Sequence, residues 1–140
     1  MHDVLYTGIS TGWTWGYAQT SNAGLLVAHN ELYNIAQGVL SDLGCIYNLG
    51  ISPGTTMANN VCHDVDAYGY GGWGYYSDEG TSLVEWTNNI AFGCKSAGYH
   101  QHYGLNNVVV NNVFAFEEAE LCTVPNCDQA AVRSSQHTPG

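Results

Sequence analysis

The stretch TTMANNVCHDV, residues 55–65, joins two short apolar runs through a pair of asparagines. The same arrangement recurs in LLVAHNELYNI (25–35), LVEWTNNIAFGC (83–94) and VVVNNVFAF (108–116). Short runs with period-two alternation, bounded by polar turn residues, are typical of β-strands. Their recurrence along the chain is typical of a solenoid, in which each repeat packs mainly on its neighbours.

An asparagine closes the first apolar run of each copy, at intervals of 30, 29 and 23 residues: Asn30, Asn60, Asn89 and Asn112. Asparagine tolerates the left-handed conformation that a sharp corner needs. Its amide can also bond to the equivalent amide one coil away, as in cross-β stacks. We therefore predict an all-β fold, a right-handed single-stranded parallel β-helix of about four coils with an asparagine ladder at its turns. The alternative is four unrelated turns.

A second motif, two glycines separated by five residues, lies between these turns as GCIYNLG (44–50), GYYSDEG (74–80) and GYHQHYG (98–104). Aligning its copies predicts four columns, which are Cys45, Tyr75 and Tyr99; Ile46, Tyr76 and His100; Tyr47, Ser77 and Gln101; Asn48, Asp78 and His102. Alternation puts the second and fourth columns on one face. Because an aspartate and two histidines are poor core residues, that face is predicted to point outward.

The charge balance excludes several classes of partner. The chain carries 12 acidic residues against two fixed cations, Lys95 and Arg133, which gives a formal net charge of −10. This charge disfavours nucleic acids, anionic membrane surfaces and polyanionic substrates, which need clustered arginine or lysine. No apolar run approaches the roughly 20 residues of a membrane span. No signal peptide is recognisable after Met1, and five cysteines leave at least one unpaired within a single chain.

The outward face of this sheet is a candidate ligand-binding surface. Aromatic and polar side chains on or near it are candidate substrate-binding residues: Trp13, Trp15, Trp73, Tyr76, Gln101 and Tyr103. Aromatic rings around a rigid sheet suit a binding site for flat apolar faces such as those of sugars. Candidate groups for proton transfer are Asp42, Asp78, Glu79, His100 and His102.

Longer stretches resemble a known family: ISTGWTWGY (9–17), LSDLGCIYNLGISPGT (40–55), GGWGYYSDEGTS (71–82) and GYHQHYGLNNVVVNNVFAF (98–116). They are similar to the core of right-handed β-helix repeat proteins like those of glycoside hydrolase family 141, whose activities include α-L-fucosidase and xylanase. This resemblance implies hydrolysis of a neutral, xylan- or fucoside-like polysaccharide by carboxylate acid/base chemistry. It also implies that Asp42 and Asp78, in the SD-x-G and DEG motifs, are the first choice of catalytic pair.

The resemblance covers residues 6 to 118, and such relatives have more coils. The chain therefore looks like a slice of a β-helix, with coils over residues 1–118 and an irregular tail over 119–140. Open ends of a β-helix expose strand edges, so self-association into a homo-oligomer is expected. Relatives are usually extracellular or periplasmic, but without an export signal the localisation stays undetermined.

Each functional assignment has an alternative. Asp78 and Glu79 could cap a turn before Gly80, and the histidines could be hydrogen-bonded surface residues. His100, His102 and Asp78 could instead hold a divalent metal, although no cofactor is expected. Trp13 and Trp15 could pack a coil edge. The corresponding alternatives for function are a non-catalytic glycan-binding or self-assembling fragment, and a metal-dependent enzyme.

Overall fold

The chain is all-β over residues 1–115 and 119–123, which are the residues described by the computed structural model. In chain order the strands are β1 (His2–Val4), β2 (Ile9–Thr11), β3 (Leu26–Ala28), β4 (Glu31–Ile35), β5 (Gly44–Asn48), β6 (Ile51–Ala58), β7 (Val61–Val65), β8 (Trp73–Ser77), β9 (Ser82–Thr87), β10 (Ile90–Cys94), β11 (Ala97–Gln101), β12 (Val108–Val110), β13 (Val113–Ala115) and β14 (Glu120–Thr123). These residues form no helix, and so include no helical segment able to cross a membrane.

The strands form three sheets, and every strand pair described is parallel. The first sheet has the order β1-β4-β7-β10-β13, the second β14-β11-β8-β5-β2 and the third β12-β9-β6-β3. Each strand pairs with the strand three places along the chain, so the backbone visits the three sheets repeatedly in one order. The prediction of an all-β protein built from repeated parallel strands is confirmed.

In the turns between the third and first sheets, two neighbouring residues have different structural roles. The residue before each repeated asparagine has a positive φ: His29 at 58°, and Asn59, Asn88 and Asn111 at 56°. The repeated asparagines supply the side-chain bonds: Asn30 donates to Asn60, Asn60 to Asn89 and Asn89 to Asn112, each at 3.0 Å. The sequence predicts that one asparagine has both roles. The left-handed corner instead precedes the residue whose amide reaches the next repeat.

The core lies between the three sheets and is filled mainly by inward-facing apolar side chains. Its largest fully buried members include Trp86, Tyr75, Tyr99 and Leu32. A disulfide between Cys45 and Cys62 links β5 in the second sheet to β7 in the first. Burial of large aromatic and aliphatic side chains supplies the main driving force for folding, at about 25 cal/mol per Å² of apolar surface.

The register of the second sheet differs by one residue from the alignment of the glycine motifs. Between β8 and β11 the expected pairs are present, since Tyr76 lies opposite His100. Between β5 and β8 the expectation was wrong: Tyr47, not Ile46, lies opposite Tyr76. A one-residue slip exchanges the two faces of a strand. The observed register buries Ile46 in the core and turns Tyr47 outward.

The strand pattern continues past residue 118, because β14 pairs in parallel with β11. These four residues belong to the segment that the sequence assigned to an irregular tail. Residues 116–118 and 124–140 lie outside the described residues, and with them most of the predicted tail and the boundary itself.

Candidate functional site

The two carboxylates chosen from the sequence lie at opposite ends of neighbouring strands. Asp42 precedes β5 in a left-handed conformation (φ 60°), and its backbone N–H donates to Tyr70 O at 2.8 Å. Asp78 directly follows β8, and its backbone N–H donates to Asn48 O at 3.0 Å. Each acid is thus held by a backbone hydrogen bond to an adjacent repeat.

The hydroxyl of Tyr76 brings these two carboxyls together. Tyr76 Oη lies 2.9 Å from Asp42 Oδ1 and 2.9 Å from Asp78 Oδ1. The two carboxyl oxygens are therefore no farther apart than twice 2.9 Å. That upper limit is close to the separation of about 5 to 5.5 Å between the carboxyls of retaining glycosidases, and below the 6.5 to 9.5 Å of inverting ones.

Asp78 has two further polar neighbours. Tyr47 Oη donates to Asp78 Oδ2 at 2.5 Å, and His102 Nδ1 lies 3.1 Å from Asp78 Oδ1. Asp78 itself is only 4% exposed. A buried carboxylate needs such donors, because burying a charge without hydrogen bonds is costly.

The electrostatics distinguish Asp42 from its surroundings. Although Asp42 as a whole residue is exposed, its carboxyl is partly desolvated beside Tyr76, and this desolvation raises its pKa. The Asp78 charge acts in the same direction, whereas a hydrogen bond donated by Tyr76 to Asp42 would act against it by stabilising the ionised form. Burial, together with the Asp78 carboxylate, also raises the pKa of both Tyr47 and Tyr76. Both phenols are therefore neutral hydrogen-bond donors near pH 7.

His100 and His102 occupy different environments, although the sequence put both on one exposed face. His102 is partly exposed and contacts Asp78. His100 is only 5% exposed, and its ring stacks on Trp73 with centroids 4.1 Å apart. Desolvation, with a smaller contribution from His102, lowers the pKa of His100 to about 4. His100 is thus buried and uncharged near pH 7, not on an exposed face as the sequence predicts, and its role in proton transfer stays a prediction.

Three of the predicted substrate-binding residues are buried. Trp73 and Tyr76 belong to a small cluster with Tyr47 and Ala97 beneath the outer surface. Gln101 is fully buried on the opposite side of β11, where it accepts hydrogen bonds from Tyr99 Oη and Asn107 Nδ2. The predicted exposure of these three side chains was therefore wrong, and their contact with a ligand stays a prediction. Alternation along β11 assigns Gln101 to the interior.

The remaining predicted aromatic residues are accessible. Trp13 and Trp15, between β2 and β3, are 77% and 64% exposed. Tyr17 from the same segment makes an edge-to-face contact with Tyr103, at 5.7 Å between ring centroids. Tyr103 Oη in turn donates to Glu79 Oε2 at 3.1 Å. These contacts bring part of the 12–25 segment to the end of the strands where Asp78 and Glu79 lie.

Close backbone packing supports this placement. Gly80, next to Glu79, has a positive φ of 73°, and a Cβ atom there would lie 2.1 Å from Gly16 O. Gly50 has a φ of 78°, and a Cβ there would lie 2.3 Å from Thr14 O. Only glycine allows such approaches without a shift of the backbone. The segment that carries the exposed tryptophans is therefore packed against the end of the second sheet.

Several tyrosines of the site were missed by the sequence argument. Tyr47 was assigned to the inner face by the misplaced register, although its hydroxyl binds Asp78. Tyr6 Oη donates to the backbone O of Asp42 at 3.0 Å, and Tyr70 packs edge-to-face on Trp73. The correct register would have identified Tyr47, whereas Tyr6 and Tyr70 lie in connections whose path the sequence does not specify.

The proposed metal ligands do not form a metal-binding group. Asp78 contacts His102, while His100 packs on Trp73. Within the described part of the chain, no cluster of three or more His, Cys, Asp or Glu residues has the proximity needed to hold a metal ion. Among the described residues, Asp78, His100 and His102 are therefore not joined into the three-ligand group that a transition ion usually requires.

Comparison with known proteins adds no assignment. No protein-family model, no curated protein and no solved structure matches this chain. The resemblance to glycoside hydrolase family 141 stays a prediction, and the functional argument rests on the geometry around Asp42, Tyr76 and Asp78.

Proposed function

We propose that the chain forms closed coils of a right-handed parallel β-helix and that its repeated asparagines form a ladder along one turn. The regular visits to three parallel sheets support this proposal. So does the unbroken series of amide bonds from Asn30 through Asn60 and Asn89 to Asn112. Such a scaffold holds neighbouring strands about 4.8 Å apart and presents side chains at fixed spacing.

We propose further that the protein hydrolyses a glycosidic bond with Asp42 and Asp78 as its two carboxyl groups. The observation that carries this proposal is the short separation of the two acids through Tyr76. Asp42 has the properties of the general acid, because its pKa is raised and the residue is accessible. Asp78, which accepts a hydrogen bond from Tyr47 and faces His102, is the second carboxyl of the pair. This pairing suits a retaining reaction.

A neutral carbohydrate fits the surroundings of the pair. The net charge of −10 would repel acidic polysaccharides. Trp13 and Trp15 present large exposed rings, and such rings can pack on the apolar face of a sugar. We infer a xylan- or fucoside-like polysaccharide as the substrate class, in line with the family resemblance.

The second candidate is a non-catalytic glycan-binding or self-assembling module. It is favoured by one observation: Asp78 is only 4% exposed while the two tryptophans are open, so a ligand reaches the rings more readily than the acid. Self-association has its own support. Among the strands of the described residues, β1, β2 and β3 each lie at the end of a sheet, and an unpaired edge favours pairing with another chain.

Hydrolysis of a panel of neutral polysaccharides and aryl glycosides tests the first candidate. We expect reducing-sugar release by the wild type, and a loss of about 100-fold or more in Asp42→Asn and Asp78→Asn. Glu85→Gln, an acid-to-amide change at an exposed position of β9, is the matched control and should retain activity. On glycosides with very good leaving groups, Asp42→Asn should recover more activity than Asp78→Asn, because such substrates need little acid assistance.

A binding assay, which measures retention of the polysaccharide by the protein, separates the two candidate functions. Retention of the polysaccharide by wild type and both carboxyl variants, with no hydrolysis of any substrate, would favour the non-catalytic module. Equal activity of Asp78→Asn and the wild type would remove the carboxyl pair from the reaction.

A further inference from the structure

The Tyr76 hydroxyl meets two carboxyl oxygens at the same distance of 2.9 Å. A phenol carries a single hydrogen and can donate only one such bond at a time. Two ionised carboxylates can only accept, so they cannot both be satisfied by this hydroxyl. The second contact becomes a hydrogen bond only if one carboxyl is protonated and donates to the phenol oxygen.

The surrounding donors identify which carboxyl keeps its charge. Asp78 accepts a hydrogen bond from Tyr47 Oη and also faces His102 Nδ1. Among the described residues, no other side chain than Tyr76 bonds to the Asp42 carboxyl. Because donors stabilise the ionised form of a carboxyl, the negative charge belongs on Asp78 and the proton on Asp42.

We propose that Tyr76 is a positioning residue through which Asp42 and Asp78 share one proton. In this arrangement Asp42 O–H donates to Tyr76 Oη, and Tyr76 O–H donates to Asp78. Tyr76 is only 1% exposed, so it acts on the carboxyls and not on a ligand. In the proposed hydrolase, Asp42 would then be a general acid that is already protonated before substrate binds. Proton sharing itself is a property of the protein without substrate.

Other titratable groups lie near the two carboxyls and affect their protonation: Tyr6, Tyr47, Tyr70, Glu79, His100 and His102. The tyrosines among them are neutral near pH 7, and the lowered pKa of His100 leaves it uncharged. Asp78 and Glu79 add negative charge near Asp42, which favours the protonated form of Asp42, whereas His102 acts in the opposite direction. Interacting carboxyls of this kind lose their protons in steps that belong to the pair.

The alternative arrangement predicts the opposite response to loss of the hydroxyl. If Tyr76 donates to an ionised Asp42, that bond lowers the Asp42 pKa, and Tyr76→Phe raises it. If Tyr76 instead accepts a hydrogen bond from protonated Asp42, the substitution removes the acceptor that stabilises the protonated form. The Asp42 pKa then falls. The sign of the change therefore separates the two.

The experiment is a carbon-13 NMR titration of the aspartate carboxyls in the full chain, without ligand. Asp42→Asn and Asp78→Asn assign the two signals. In Tyr76→Phe we expect the Asp42 midpoint to fall by about one pH unit, the scale of one hydrogen bond. Tyr47→Phe, which removes a hydroxyl bonded to Asp78 alone, is the matched control and should move the Asp42 midpoint by less. A rise, or no change, in the Tyr76→Phe midpoint overturns the proposal.

The wild-type protein gives a second reading that does not depend on whether Tyr76→Phe folds. Its Asp42 carboxyl should lose its proton at a higher pH than an ordinary aspartate, because burial and the nearby Asp78 charge raise its pKa. An Asp42 midpoint in the ordinary aspartate range would contradict proton sharing. Because neither reading uses a substrate, absence of hydrolase activity would refute the proposed function and leave this inference standing.

Discussion

Replacing Asn89 with alanine should destabilise the protein far more than the same change at Asn30. Asn89 is fully buried. Its Oδ1 accepts hydrogen bonds from the backbone N–H and side-chain amide of Asn60, each at 3.0 Å. Its amide donates to Met57 O at 2.8 Å and to Asn112 Oδ1 at 3.0 Å. Alanine would remove all of these bonds at once.

The magnitude follows from the groups left without a partner. Two N–H donors of Asn60 and the carbonyl of Met57 would lose the bond to Asn89 in a region closed to water. At about 1–3 kcal/mol for each buried unsatisfied group, the free energy of unfolding should fall by about 4 kcal/mol. Asn30 is only half-buried and donates to Ala28 O and Asn60 Oδ1. Its replacement orphans fewer groups and should cost about 1 kcal/mol.

Urea denaturation followed by circular dichroism measures both variants against the wild type. Equal slopes of the unfolding transitions would indicate that the midpoints report stability alone. We expect the Asn89→Ala midpoint to lie well below that of Asn30→Ala. Similar midpoints for the two variants would mean that the amide series contributes little, and would refute the account of the turns.

Three further predictions concern the disulfide, His100 and the exposed tryptophans. Replacing Cys45 and Cys62 together with serine should lower the free energy of unfolding by about 3 kcal/mol, the entropic effect expected for a loop of this size; a midpoint equal to that of the wild type in urea would refute it. The lowered pKa of His100 means that stability should be unaffected above its unfolded value of 6.5 and decline by about 2–3 kcal/mol as pH falls towards 4. His100→Gln should flatten that decline, and an unchanged pH slope would contradict it. Trp15→Ala, at an exposed ring, should weaken polysaccharide retention several-fold in affinity electrophoresis and leave the urea midpoint unchanged; unaltered retention would argue against a role in binding.

The repeat of the asparagine turns was sufficient to predict the parallel, all-β architecture. Strand pairing in a repeat protein follows the sequence period, because equivalent residues of successive repeats lie side by side. The period did not specify the register of β5 against β8. Cys45 and Ile46 are adjacent and both fully buried, so alternation alone cannot say which of them faces Tyr75. The observed register pairs Ile46 with Tyr75 and Tyr47 with Tyr76, and the Tyr47 hydroxyl bonds to Asp78.

For the candidate site too, the sequence predicted some features and left others to the tertiary structure. Composition and family resemblance selected Asp42 and Asp78, and the structure brings them to one hydroxyl. The sequence did not predict that Trp73, Tyr76 and His100 would be buried near these two acids. Their burial depends on packing between residues distant along the chain, such as the stacking of Trp73 on His100, 27 positions away.

The sequence by itself determined the repeating strands, the polar turns and the strongly acidic surface, since these depend on local pattern and composition. Only the tertiary structure decided which acids meet and which aromatic rings remain exposed. Tyr47 and Asp78 are 31 positions apart and Tyr76 and Asp42 are 34 apart, yet each pair shares a hydrogen bond. Such contacts depend on register to within one residue, and register is chosen by packing of the whole core.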